Sequence, residues 1–374
     1  MRGQRLAAVL SGLVILGVLG ACAAPASPPA RPAATSAPAP DASTGAAAPV
    51  PTEGTPPRTE LRTVKVGDLG ILTTAALYVA IEKGYFREQG IETELVTIDG
   101  SARAIPLLAT GELDAMAASA TAGFFNAINQ GIPMRVVADK ALQVPGTGTV
   151  GLVVRQDLLD SGAVRTVADL RGRPVGINTR GAALEYQLYH ILKSGGLSLD
   201  DVELVELALP DIMAALGTKR LDAAMFIEPF QTIAKRRGLA SMFVPSTDVL
   251  PEYQSGVIVF SQRFPERDLQ AARDWMVGYL KGIRAYEDAR RKGIDREAII
   301  DIMMKYTTVK DRGIYDEMVW ASFEPNGRVV PASLAAEQEY YHQIGLVKEP
   351  VPMDRVIDEQ FIRYAVDRLG PYPE

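Results

Sequence analysis

The chain has 374 residues, with 39 basic and 45 acidic side chains and a formal net charge of −6 at neutral pH. The two signs are interspersed and no basic stripe exists, so nucleic acid is not an expected partner. With one cysteine and two histidines, the body of the chain has no means of forming a disulfide, a thiolate or histidine-rich metal cage, or a cysteine nucleophile.

In chain order, Arg2 and Arg5 precede an apolar run over 6–19, broken only by Ser11, Gly12 and Gly17. This layout predicts a secretory signal peptide over 1–21, short for a membrane span. The run ends in Leu19-Gly20-Ala21-Cys22, which resembles the lipobox of bacterial lipoprotein precursors. That resemblance implies cleavage before Cys22 and diacylglycerol on its thiol, two acyl chains being what stable anchoring takes. Residues 22–58 then form the lipidated cysteine and a Pro/Ala-rich tether, with too little large apolar surface to offset ordering entropy. The expected location is the cell membrane, lipid-anchored and facing away from the cytoplasm, with the lipid bilayer as a partner through Cys22.

Residues 59–374 read as a folded domain. A strand over 63–67 leads through a loop into a helix over 75–89, stopped at Gly90. Strands over 91–98, 113–118 and 134–138 alternate with helices over 102–110 and about 122–130, predicting a parallel α/β layer. The pattern recurs: strands over 173–178, 202–207 and 221–225 alternate with helices over 182–194, 211–216 and after Pro229. Leu113-Asp114-Ala115 is echoed by Leu221-Asp222-Ala223, and Gly67 stands nearly as far before Leu113 as Gly176 does before Leu221. Two lobes on one plan are expected, lobe one over 59–148 plus 262–374 and lobe two over 149–261. Strand-like stretches over 150–155 and 256–260 are expected as the two crossings of a hinge. The last third predicts helices over 265–291, 295–306, 310–321, 331–344 and 354–369.

Ligands of open α/β sheets bind outside the carboxyl ends of the strands, so the loops after the strands are the candidate site. Lobe one offers Leu69, Thr73, Thr74, Ser101, Ser119 and Thr121; lobe two offers Asn178, Thr179, Arg180, Gly181 and Glu228. Hydroxyls and free helix-start N–H groups suit a small polar or anionic ligand. Each hydroxyl and Asn178 has a second reading as a simple helix cap, and Glu228 as a cap for the helix behind Pro229. Arg180 opposes the dipole of the helix that it starts, so a bound anion would explain it, as would plain solvation. Phe124, Phe226, Phe230 and Trp320 can stack on a ligand or fill the core. Glu185 and His190 lie five apart rather than four, His342 sits on an amphipathic helix, and no catalytic constellation, metal site or cofactor motif emerges.

The block from Ala76 to Ile91, with Gly84-Tyr85-Phe86 at its centre, resembles the opening of the binding proteins for nitrate, sulfonate, taurine and thiamine-precursor pyrimidines. Residues 107–116, Asp169-Leu170-Arg171-Gly172 and Glu228-Pro229 are similar to later blocks of that family. The resemblance spans about 64–369. It implies a type II periplasmic-binding-protein fold, hinge-linked, and a monomer that delivers a solute to an ABC permease. The solute is a sulfonate-, nitrate- or carboxylate-type anion or a pyrimidine-like thiamine precursor. It implies no cofactor and no enzyme activity, since the cysteine-rich stretch and reactive histidine of the related pyrimidine synthases have no counterpart. A lyase- or dehydratase-like enzyme on the same fold, or a sensing module for a membrane receptor, are the alternatives.

Overall fold

The computed structural model describes residues 60–373; the signal-peptide, Cys22 and tether readings lie outside them. The chain opens with β1 (Arg62–Asp68), α1 (Ala75–Glu82), β2 (Ile91–Thr97), α2 (Ser101–Thr110), β3 (Ala115–Ala118), α3 (Ala122–Asn129) and β4 (Met134–Gln143). It continues with β5 (Val150–Arg155), α4 (Gln156–Asp160), β6 (Pro174–Ile177), α5 (Ala183–Ser194), β7 (Glu203–Glu206) and α6 (Leu209–Gly217). Then come β8 (Ala223–Ile227), α7 (Phe230–Arg236), β9 (Ala240–Pro245), β10 (Tyr253–Ser261), α8 (Arg263–Arg267) and α9 (Leu269–Lys292). The tail carries α10 (Arg296–Tyr306), α11 (Arg312–Glu317), α12 (Pro331–Gln343), α13 (Met353–Val356) and α14 (Gln360–Leu369).

Two five-stranded sheets result, in the orders β2-β1-β3-β10-β4 and β7-β6-β8-β5-β9. Matching β1–β4 to β6–β9 makes the two orders identical. In each sheet one antiparallel strand, β10 or β5, is inserted between the third and fourth positions. The repeat read from the sequence is thus a repeat of topology. Val66 and Gly67 pair with Ala115 and Met116, as Val175 and Gly176 pair with Ala223 and Ala224. A Cβ on Gly67 would stand 2.9 Å from Leu113 Cδ1, and one on Gly176 would stand 2.7 Å from Leu221 Cδ1. Each glycine is therefore the hole into which the leucine of its own Leu-Asp-Ala block packs. The aspartates match as well: Ser261 at the end of β10 and Arg155 at the end of β5 donate their N–H to the carbonyls of Asp114 and Asp222, both at 2.9 Å.

The strands alternate between two covered faces, as buried mixed sheets require. Ala115, Ala117, Ile258 and Phe260 face one core while Met116, Ala118, Val257 and Val259 face another. In the second sheet Leu152, Val154 and Met225 face one core, Val153, Ala224 and Phe226 the other.

Several expectations are corrected. The stretches over 150–155 and 256–260 are interior strands of the two sheets, and the chain crosses between lobes in the loops over 144–149 and 246–252. The boundary at 261 wrongly assigned β10 to lobe two; its ladder to β3 and β4 puts it in the first sheet. β4 runs on to Gln143 where the sequence suggested Ala138, because Asp139 and Lys140 are both buried inside the strand. β9 was missed. The helix expected over 265–291 breaks at Asp268, whose side chain caps α9 by accepting from Ala271 N at 2.8 Å, and the one over 310–321 shrinks to Arg312–Glu317. Among the described residues no helix is long and apolar enough to cross a membrane.

Candidate functional site

Between the two sheets lies a cavity of about 760 Å³, reached by loops from both lobes and by the tail around Thr307–Lys310. Of the residues singled out in the sequence, Leu69, Thr73, Ser101, Ser119 and Thr121 line it from lobe one, and Asn178, Thr179 and Glu228 from lobe two. Thr74, Arg180 and Gly181 do not line it.

The local bonding separates caps from free groups. Thr121 caps α3, its Oγ1 accepting from Phe124 N at 3.2 Å. Ser101 caps nothing; its Oγ accepts from Ser119 N at 3.2 Å, and Ser119 Oγ donates to Ser255 O at 3.3 Å. The start of α2, the loop over 119–121 and strand β10 of lobe one are thereby tied into one polar wall. Thr179 Oγ1 donates to the carbonyl of Asn178 at 2.7 Å, whereas Asn178 Oδ1 is buried with no hydrogen-bond partner among the described residues. Glu228 is spent on the protein. Its carboxylate accepts from Thr232 N at 3.2 Å and Thr232 Oγ1 at 3.0 Å, and from Val319 N at 3.4 Å. Burial pushes its pKa up, against those hydrogen bonds.

The anion inferred for Arg180 is supplied by the chain itself. Arg180 Nε pairs with Glu185, in the first turn of α5, at 2.7 Å. Glu185 is fully buried and also accepts from Tyr340 Oη at 3.3 Å. Gly181, at φ +62°, carries its carbonyl to Ala122 N of lobe one at 3.2 Å, which makes it a contact between lobes. Thr74 is buried in the turn that leads into α1. Of the four aromatic candidates only Phe230 reaches the cavity wall; Phe124, Phe226 and Trp320 are core. Neither His190 nor His342 lines the cavity.

The sequence reading missed Lys140, Gln187, Ser255 and Arg236, all of which line the cavity. Gln187 Oε1 accepts from Gln143 Nε2 at 3.1 Å across the lobes. Arg236 closes another side: it reaches from α7 to Asp311 at 2.8 Å and to both oxygens of Glu317 at 2.7 and 2.8 Å. Lys140 is only 2% exposed, and its Nζ donates to Thr73 Oγ1 at 3.0 Å. Burial lowers its pKa to about 8, partly offset by Asp68 and Asp139 acting through space. Leu69, Ile71, Leu184, Leu209, Ile227 and Ile233 complete largely apolar walls. The arrangement can enclose an organic molecule and bond its polar groups.

A family model described as NMT1/THI5-like matches residues 72–289, more than half of the chain. The chain belongs to the NMT1/THI5-like family. Among curated relatives, the riboflavin-binding protein RibY of Chloroflexus aurantiacus is 25% identical over 286 residues, covering 75% of this chain and 74% of that protein. A 4-amino-5-hydroxymethyl-2-methylpyrimidine phosphate synthase of Aspergillus parasiticus is 27% identical over 175 residues, 47% of this chain and 48% of the synthase. Among solved structures, the ligand-binding component of an ABC-type import system from Staphylococcus aureus superposes with a TM-score of 0.68 at 16% identity, over 81% of this chain and 99% of that one. The aliphatic sulphonate binding protein SsuA of Escherichia coli gives 0.65 at 17%, over 80% and 92%. The two-lobed binding-protein fold expected from the sequence is therefore the fold of this family member.

Proposed function

We propose that this protein is the solute receptor of an ABC-type importer, capturing a small organic molecule between its lobes and presenting it to a permease. The observation that carries this reading is the cavity of about 760 Å³ walled by loops of both lobes. A molecule that bonds both walls stabilises whichever arrangement brings them together, and that shape is what a permease can recognise. The volume and the apolar walls favour an organic solute, an organic anion or a heteroaromatic compound, over nitrate. The names of RibY and SsuA support binding of that kind. The synthase among the relatives raises an enzymatic reading, but the position of both histidines outside the cavity wall gives it no acid–base group of that type. The signal peptide and lipidated Cys22 belong to the same proposal, which has the receptor held at the outer face of a membrane and acting as a monomer.

Small-angle scattering and thermal unfolding with riboflavin, hydroxymethylpyrimidine, hexanesulfonate and nitrate test the receptor. A true ligand at about 100 times its Kd adds ~2.7 kcal/mol of stability and reduces the radius of gyration. Failure of every organic probe to do either sinks the reading. Radioactive palmitate should label the wild-type protein and spare Cys22→Ser; equal labelling removes the anchor.

A further inference from the structure

β4 and β10 do not pair evenly. Gly256 pairs with Ala141 and Val257 with Asp139, so Lys140 has no opposite residue; on β10 Ser255 is skipped in the same way between Gln254 and Gly256. A bulge bends a strand and re-aims the extra side chain, and both extra residues line the cavity. Ser255 turns its hydroxyl back, donating to Ala141 O at 3.0 Å. Lys140 has no such outlet. Its aliphatic stem runs over Gly256, where a Cβ would stand 3.2 Å from Lys140 Cδ. The glycine leaves the space that the lysine needs to reach the cavity.

The ammonium so placed is under-used. It carries three N–H donors, and among the described residues its one hydrogen-bond partner is Thr73 Oγ1. No carboxylate among the described residues forms an ion pair with it. Asp139 is turned away toward Gln254 Nε2 and Glu324 N, and Asp68 accepts from Tyr78 Oη at 2.6 Å through one oxygen, acting on the ammonium through space but forming no hydrogen bond with it. A buried cation with one neutral partner is costly unless something else bonds it. Of the other four cations in the wall, Arg236 is already paired with Asp311 and Glu317 and Arg103 with Asp99, while Lys310, which donates to the carbonyls of Met304 and Lys305, and Arg237 are exposed to solvent rather than buried.

On the reading that this cavity is the solute site, we propose that Lys140 is its anion anchor, its ammonium bonding a carboxylate, sulfonate or phosphate group of the solute beside Thr73. The role expected of Arg180 thereby passes to a residue of lobe one. The bulge, the facing glycine and the unused donors are then parts of one device.

Calorimetry on the purified protein tests this with matched pairs that differ in one charge-bearing group: hexanesulfonate and hexanesulfonamide, nicotinate and nicotinamide, flavin mononucleotide and riboflavin. At least one anionic member should bind more tightly than its neutral partner. Lys140→Met keeps the length of the stem and should weaken that anion roughly 10- to 100-fold, as loss of a charged hydrogen bond does, with little effect on the neutral partner. Should the variant fail to fold, ¹³C NMR of the wild-type lysines replaces it: the anionic probe raises the pKa of the Lys140 ammonium, which burial lowers to about 8, and the neutral probe does not. Tighter binding of the neutral members, or a preference that survives Lys140→Met, overturns the anchor and leaves the receptor standing. Absence of binding by all six overturns both.

Discussion

In lobe one the indole of Trp275 on α9 stacks on Phe86 at 5.1 Å and Tyr279 at 5.3 Å, and meets Phe260 of β10 edge-on at 5.5 Å. Around β5, β6 and β8 in lobe two the equivalent layer is aliphatic: Leu152, Val154, Val175, Ile177, Leu188 and Leu192. The strand order is the same. What covers it is not. A sheet plan needs only alternation and two well-placed glycines, so it tolerates whichever side chains fill the space above it. Lobe one also carries most of the helices that follow β10, α11 and α12 touching α7 and α5 of lobe two as well, and its aromatic rings fill the deeper layer between α9 and the sheet. The walls differ too: lobe one brings the buried lysine and most of the hydroxyls, lobe two much of the apolar surface and a glutamate already spent on its own helix.

Two experiments press on this contrast. The larger effect should come from the cores. Trp275→Ala is expected to cost about 3–5 kcal/mol and Leu188→Ala about 2–5 kcal/mol, read by urea unfolding. Hydrogen exchange then shows where each loss is felt. If the lobes are separate cooperative units, Trp275→Ala loosens amides of β1, β3 and β10, and Leu188→Ala those of β6 and β8. Uniform loosening by either variant would mean that the doubled plan unfolds as one piece. The smaller effect tests the repeat itself. Gly67→Val and Gly176→Val each drive a side chain into the leucine of their own lobe, and each should cost about 1–3 kcal/mol. A large loss at one site and none at the other would break the equivalence of the two positions.

Most of the lobe plan was legible along the chain because its signals are local. Leu113-Asp114-Ala115 and Leu221-Asp222-Ala223 announce buried strands by composition, and Gly67 and Gly176 mark the pairing partners. The site was legible in part. The loops after the strands do line the cavity, since strand direction alone puts them there. Arg180 was misjudged for the opposite reason. Its partner, Glu185, lies five residues on in the first turn of α5, yet that carboxylate is buried and bonded by Tyr340 of α12 in the tail. Asp139-Lys140 was a visible signal, two charges at the end of an apolar run, but it read as the end of a strand.

The amino-acid order by itself determined the two similar halves, their parallel strands and the polar loops at their ends, because hydrophobic period and glycine placement act within a few residues. Only the tertiary structure decided which side chains became free and which were consumed. A bulge forms when two strands pair, and β4 and β10 meet only after the whole of lobe two has been made between them. Whether a charge is paired, buried or aimed at a ligand is a property of that meeting, which no stretch of chain carries alone.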